Sequence, residues 1–222
     1  MNLEKILYPK DLKQARRIQA SLLKKLILTP LAKPPRLIAA ADAAFTSNRV
    51  LAAACLYSFP ELKLLEEVTT IEPLRFPYRT GFLSFCEGPA IYKAICRLSQ
   101  QPDLILVDGQ GIAHPRLMGI ATFLGIILNL RTIGCAKSHL IGEYKMPGKE
   151  KGSFSELRYK GEFLGYVLRS RTGVKPIFVS PGHLINQPDS LNIVQQSLTG
   201  FRIPEPLRQA HLLTQKLKLS YL

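Results

Sequence analysis

The sequence predicts an α/β fold, with a central mixed sheet of five or more strands flanked by helices. Three observations carry this expectation. Apolar runs at residues 36–45, 50–59 and 62–71 follow one another with only short turns between them, the pattern of antiparallel neighbours. An apolar run at 104–108, a helical pattern over 116–129 and a second run at 131–136 then alternate, which implies a parallel pair joined by a right-handed crossover. Two amphipathic segments, 190–198 and 206–217, close the chain as helices.

Asp11 is placed to cap an N-terminal helix over 11–27, whose apolar positions Leu12, Ala15, Ile18, Leu22 and Leu26 recur at helical spacing. Residues 29–35 hold Pro30, Pro34 and Pro35 and read as a connector. Thr46-Ser47-Asn48 and Pro60-Glu61 supply the turns between the first three strands. A helical region over 81–98 contains Glu87-Gly88-Pro89, and Pro89 cannot donate to a helix passing through Glu87, so a kink or break is expected there. Residues 142–161 form a polar, Lys-rich excursion, after which 164–169 and 176–180 read as a return hairpin. Without repeats or a linker-like tract, the expectation is one domain over 1–222, with no separate second domain.

Thirty Lys and Arg stand against sixteen Asp and Glu, a net charge of +14. Such an excess favours a polyanionic partner, nucleic acid first. The start Met1-Asn2-Leu3-Glu4-Lys5 lacks the basic head and apolar core of a secretory signal. The most apolar segment, 117–130, is too short for a membrane span and is interrupted by Gly119 and Gly125. Cys55, Cys86, Cys96 and Cys135 form no Cys-x-x-Cys pair and read as reduced core thiols. A cytoplasmic protein with no membrane partner is expected.

The segment Asp108-Gly109-Gln110-Gly111-Ile112-Ala113-His114-Pro115-Arg116 concentrates the chemistry. An acid at the end of a buried strand, followed by two glycines, presents a carboxylate where a ligand or backbone approaches closely. Asp42 interrupts the apolar run 37–45, and Glu87 lies between Phe85-Cys86 and Gly88-Pro89. Three acids in apolar contexts need cations or donors. One reading is a shared Mg²⁺ site, since this ion prefers carboxylate oxygen and leaves positions open for phosphate, and paired ions about 4 Å apart serve phosphodiester cleavage. The plainer reading makes each acid a cap or an ion-pair partner; taken together with the basic excess, the metal reading prevails.

His211 lies one turn from Leu207 on a helix started by Pro206, as a core histidine or as a metal ligand or proton carrier beside the acids. His114 lines a cleft or caps the glycine turn. Lys137 ends a strand, where it is either solvated or set against a phosphate. Other motifs fail: His114 occupies the third-glycine position of a dinucleotide fingerprint, Lys137 has the wrong spacing for a phosphate-binding loop, and no Gly-x-Ser-x-Gly occurs.

The stretches Ala41-Asp42-Ala43-Ala44-Phe45, Phe76-Pro77-Tyr78, Phe85-Cys86-Glu87-Gly88-Pro89, Asp108-Gly109-Gln110-Gly111 with His114-Pro115-Arg116, Thr132-Ile133-Gly134-Cys135-Ala136-Lys137 and Arg202-Ile203-Pro204-Glu205-Pro206 resemble endonuclease V, in family order from about 36 to 211. The resemblance implies a ribonuclease H-like fold and metal-dependent nicking of inosine-containing nucleic acid, DNA or RNA, at the second phosphodiester bond 3′ to the lesion. It implies 3′-hydroxyl and 5′-phosphate ends and Mg²⁺ as cofactor; Mn²⁺ is expected to substitute, and the chain is expected to be a monomer. It makes Asp42, Glu87 and Asp108 the metal-binding carboxylates, sets Lys137 on the scissile phosphate and puts His211 near the metals. Tyr78 falls in the wedge that fills the gap of the displaced base, and Gly81, Leu83, Gly109, Ile120 and Leu140 match the hypoxanthine pocket. His114 joins the substrate-binding set as a cleft residue.

Two departures stand out. The wedge usually reads Pro-Tyr-Ile-Pro but here reads Pro77-Tyr78-Arg79-Thr80, which removes a ring from the strip and adds a cation that can meet a phosphate. Many members carry Gly-Ile-Ala-Ser-His where this chain has Gly119-Ile120-Ala121-Thr122-Phe123, losing a polar contact at Phe123. The expected function is an inosine-directed endonuclease. The alternatives are a non-catalytic nucleic-acid-binding module on the same scaffold and, more remotely, a dinucleotide-dependent oxidoreductase.

Overall fold

Two alanine-rich strands pair in one half of the sheet. In this computed structural model, which describes residues 2–221, β1 (Leu37–Phe45) and β2 (Arg49–Ser58) pair antiparallel with Ala41 opposite Ala54 and Ala40 opposite Cys55. β3 (Leu64–Pro73) adds the edge beside β2. On the other side β4 (Leu104–Asp108) and β5 (Arg131–Ala136) run parallel to β1. β8 (Ile177–His183), β7 (Glu162–Leu168) and β6 (Phe154–Tyr159) complete eight strands in the order β3-β2-β1-β4-β5-β8-β7-β6.

Helices cover both faces. α2 (Leu12–Leu23), α4 (Gly88–Cys96) and α5 (Ile120–Leu128) pack with Ala39, Ala41, Ile105 and Val107 in one core. α6 (Gln187–Gln196) and α7 (Glu205–Leu219) pack with Ile38, Ala40, Leu104 and Leu106 in the other. This alternation follows from the two-residue period of a strand. A short α1 (Leu3–Leu7) precedes α2, and α3 (Leu83–Cys86) precedes α4.

The expected break at Glu87 is present: this residue closes α3 and opens α4, with Pro89 in the first turn of the latter. Other boundaries moved for identifiable reasons. The N-terminal helix ends at Leu23, not at 27, because the Ile27 amide points to His183 Nδ1 (3.3 Å) and its carbonyl accepts from the Leu184 amide (2.8 Å). α5 starts at Ile120, not 116, since the Gly119 amide bonds Gly111 O (3.1 Å) and Leu117 takes a positive φ. The polar excursion contains β6, which the sequence reading missed. Leu157 is the buried residue of that strand, so no apolar alternation announces it. Cys55, Cys86 and Cys135 are buried thiols, but Cys96, at the last position of α4, is exposed and is not a core residue.

Candidate active site

Two strand ends bring two acids to one level. The last register pair of β1 with β4 is Ala41 opposite Val107, so Asp42 and Asp108 each stand one residue further along neighbouring strands. Both share the parity of Ala40 and Leu106, which face α7. Asp42 is buried at 6% exposure and its Oδ2 meets His211 Nδ1 (2.8 Å) and the Thr214 hydroxyl (3.2 Å), both from α7. Asp108 Oδ2 accepts from the Lys137 ammonium, one residue past the end of β5.

Glu87 reaches the same cavity from the break between α3 and α4. Burial, then the charges of Asp42 and Asp108, raise its carboxyl well above the usual range, against the pull of Lys137. Burial and Asp42 likewise raise Asp108. Lys137 is set against Glu87 and Asp108, and a cation bound at this cluster would favour their ionised forms. Ligand atoms of Asp42, Asp108 and His211 lie within 4.8 Å of one another, close enough to hold a metal ion. Sequence reasoning set Glu87 in this group; the geometry gathers His211 with the two aspartates, while Glu87 lines the same cavity outside that 4.8 Å set.

A cavity of about 440 Å³ opens over these groups. Tyr78, Gly81, Leu83, Gly109, His114, Ile120 and Leu140 line it together with the acids, Lys137 and His211. Tyr78 stands at the rim with 64% of its surface exposed. Gly109 has φ +148°, and a Cβ there would fall 2.5 Å from Ile120 Cγ2, which accounts for the glycine beside Asp108. In the altered wedge, Arg79 is exposed and its carbonyl accepts from the Phe82 amide at 2.9 Å. Phe123 is fully buried, edge-on to Phe85 at 5.2 Å between centroids, and fills the space beside Gly88.

His114 does both things the sequence left open. It lines the cavity, and its Nδ1 accepts from the amides of Arg116 (3.1 Å) and Met118 (3.4 Å), closing the turn after the glycines. Burial and Arg116 push it down to about 4.

Residues 20–212 match the model of the protein family described as Endonuclease V. The chain belongs to the endonuclease V family. An endonuclease V from Rippkaea orientalis is 48% identical over 204 residues, covering 91% of this chain and 89% of that one. The crystal structure of endonuclease V from Streptomyces avermitilis superposes with a TM-score of 0.91 at 34% identity, covering 97% of this chain and 96% of that one. A Ciona intestinalis endonuclease V, in complex with a 24mer DNA containing an inosine followed by a ribo-adenosine, has a TM-score of 0.81 at 26% identity, with 95% and 98% covered. The fold is thus ribonuclease H-like and the chain is an endonuclease. Among the described residues no helix is long and apolar enough to cross a membrane.

Three supporting side chains escaped the sequence reading. Thr214, buried on α7, donates to Asp42. Arg202 donates to the carbonyls of Lys137 (2.6 Å), Lys175 (2.9 Å) and Pro176 (3.1 Å), bracing the end of β5. Gln19 reaches Gly81 from α2. Arg202 in the motif 202–206 was the one available signal.

Proposed function

We propose that this endonuclease V is inosine-directed and dependent on a divalent cation, and that it nicks the second phosphodiester bond 3′ to the lesion, leaving 3′-hydroxyl and 5′-phosphate ends. The observation that carries the reading is the adjacency of Asp108 and Gly109: a carboxylate at the acidic cluster and a backbone position on the cavity floor, one residue apart. Cleavage and base inspection would then be coupled through a single turn.

The donor set suits a hard cation. Carboxylate oxygens dominate and one imidazole assists. Asp42, Asp108 and Glu87 would hold Mg²⁺, or Mn²⁺ in its place, with His211 at the border. The ion would supply Lewis-acid charge to the reacting phosphodiester. Lys137 would place a point charge on the scissile phosphate while opposing the rise that burial and Asp42 impose on Asp108. The Nδ1 contact with Asp42 Oδ2 would orient the His211 ring and leave Nε2 for the substrate side.

A base stacked in a duplex cannot enter a cavity, so the lesion must be extruded. Exposed Tyr78 offers a face on which the opened stack can rest. The excess of Lys and Arg supplies sequence-independent affinity for DNA or RNA backbones. The chain is proposed to act as a monomer in the cytoplasm.

The test uses end-labelled DNA and RNA oligonucleotides carrying one inosine, with Mg²⁺. A single product cut one nucleotide beyond the lesion, absent with EDTA and absent for Asp108→Asn, is expected. Retarded but intact oligonucleotide would instead mark a non-catalytic binding module.

A further inference from the structure

Three side chains converge on one backbone oxygen at the cavity rim. The Gly81 carbonyl accepts from Gln19 Nε2 (3.1 Å), from His114 Nε2 (3.1 Å) and from Arg116 Nη2. The donors are cross-linked: Gln19 Oε1 accepts from Arg116 Nε at 2.6 Å, and the guanidinium lies 4.3 Å from the Phe82 ring centroid. Because His114 Nδ1 accepts two amides, its proton sits on Nε2 and is directed at Gly81.

This arrangement is more than folding requires. Gln19 is 1% exposed on the face of α2 that otherwise buries Ala15, Ile18 and Leu22. An apolar side chain would pack there without the cost of desolvating an amide. The amide spans 62 positions of sequence to one carbonyl in the strip between Tyr78 and Leu83. That strip has Thr80 where a proline ring would fix the backbone. At Gly81, φ is +79° and a Cβ would come within 2.8 Å of Arg116 Nη2, so the donors and the backbone are fitted to each other.

We propose that Gln19 is a positioning residue for base discrimination, which with His114 and Arg116 fixes the Gly81 carbonyl and hence the rim of the cavity between Tyr78 and Leu83. The role rests on the reading of this cavity as the base pocket. A rim held by three donors cannot shift to suit a base with the wrong edge, whereas a loosened rim must be ordered at each binding event. The consequence belongs to capture of the lesion, since Gln19 touches none of the acids.

The test compares wild type with Gln19→Leu, which removes both hydrogen bonds, and Gln19→Glu, which keeps an acceptor for Arg116 and removes the donor to Gly81. In both variants KM for an inosine duplex should rise about tenfold, as expected for one lost buried contact in recognition. The value of kcat and the Kd for an undamaged duplex of the same sequence should stay within about threefold of wild type, the spread expected of context. Unchanged KM in Gln19→Glu overturns the role, even where Gln19→Leu fails to fold. So does an equal loss of affinity for undamaged DNA, or a kcat that falls as far as KM rises. Wild type that leaves the inosine strand intact overturns the proposed activity and this role with it; wild type that cuts, with variants that match it, overturns this role alone.

Discussion

Nδ1 of His211 lies 2.8 Å from Oδ2 of Asp42, and the Thr214 hydroxyl reaches the same oxygen at 3.2 Å, so α7 orients a carboxylate that β1 supplies. The two donors differ in worth. A histidine donating to a carboxylate makes a charge-assisted bond, while a hydroxyl at 3.2 Å contributes the smaller share. His211→Ala should lower the single-turnover rate by about a hundredfold, within the range for a positioned acid–base group. Thr214→Val should lower it by less than about tenfold, the equivalent of about 1 kcal/mol for one neutral bond. Rapid-quench cleavage of an inosine duplex measures both; equal effects would show that Asp42 needs the pair as a unit.

Glu87 contributes a third carboxylate to a cluster with one ammonium, and its folded carboxyl is held above its ordinary range by burial and by Asp42 and Asp108. Removing that charge while keeping the shape should stabilise the protein in EDTA. We expect Glu87→Gln to raise the melting temperature by about 2–4 °C, corresponding to about 1 kcal/mol for a chain of this size. The same variant should lose most of the rise in melting temperature that Mg²⁺ gives the wild type through preferential binding to the folded state. A variant that melts lower in EDTA would mean that the carboxylate is held by donors and not by an ion.

The parts legible in the sequence are those whose environment is written locally. β4 and β5 are buried on both faces, so their continuous apolar runs gave bounds that match at both ends, Leu104–Asp108 and Arg131–Ala136. Pro89 announced the break at Glu87, and acids set among apolar neighbours announced Asp42 and Asp108. β6 was illegible because it buries Leu157 and is otherwise polar or part-exposed. Gln19, Thr214 and Arg202 were illegible for a different reason. Each acts on a group 62, 172 or 65 positions away, and no local period encodes such a partner.

Arg202 tests the idea that backbone bracing matters for the chemistry. Its guanidinium spans the carbonyls of Lys137, Lys175 and Pro176, a planar fork that an ammonium cannot reproduce. Arg202→Lys should therefore behave much like Arg202→Ala. Either change should cost about 1–3 kcal/mol of stability through unpaired carbonyls. Each should also lower kcat by about tenfold, since a small displacement of a positioned group is enough. Full activity in Arg202→Lys would show that charge alone suffices at this position.

His114 gives the protein a defined sensitivity to acid. Burial, then Arg116, hold it at about 4 in the folded state, against 6.5 as its ordinary value. Between those two values the unfolded chain takes up a proton that the folded chain refuses, so stability is present above about 6.5 and is lost as pH falls toward 4. The loss amounts to about 3 kcal/mol at most across the window. A proton on Nδ1 would also displace the Arg116 and Met118 amides, which ties the titration to the turn and to the Gly81 carbonyl. His114→Gln keeps a donor for Gly81 and cannot titrate, so its melting temperature should fall less steeply than that of wild type from pH 6.5 to 4, and the difference between the two curves isolates this residue from the carboxylates. Parallel curves would show that His114 is already charged in the folded protein, with its proton shared differently among Gly81, Arg116 and Met118.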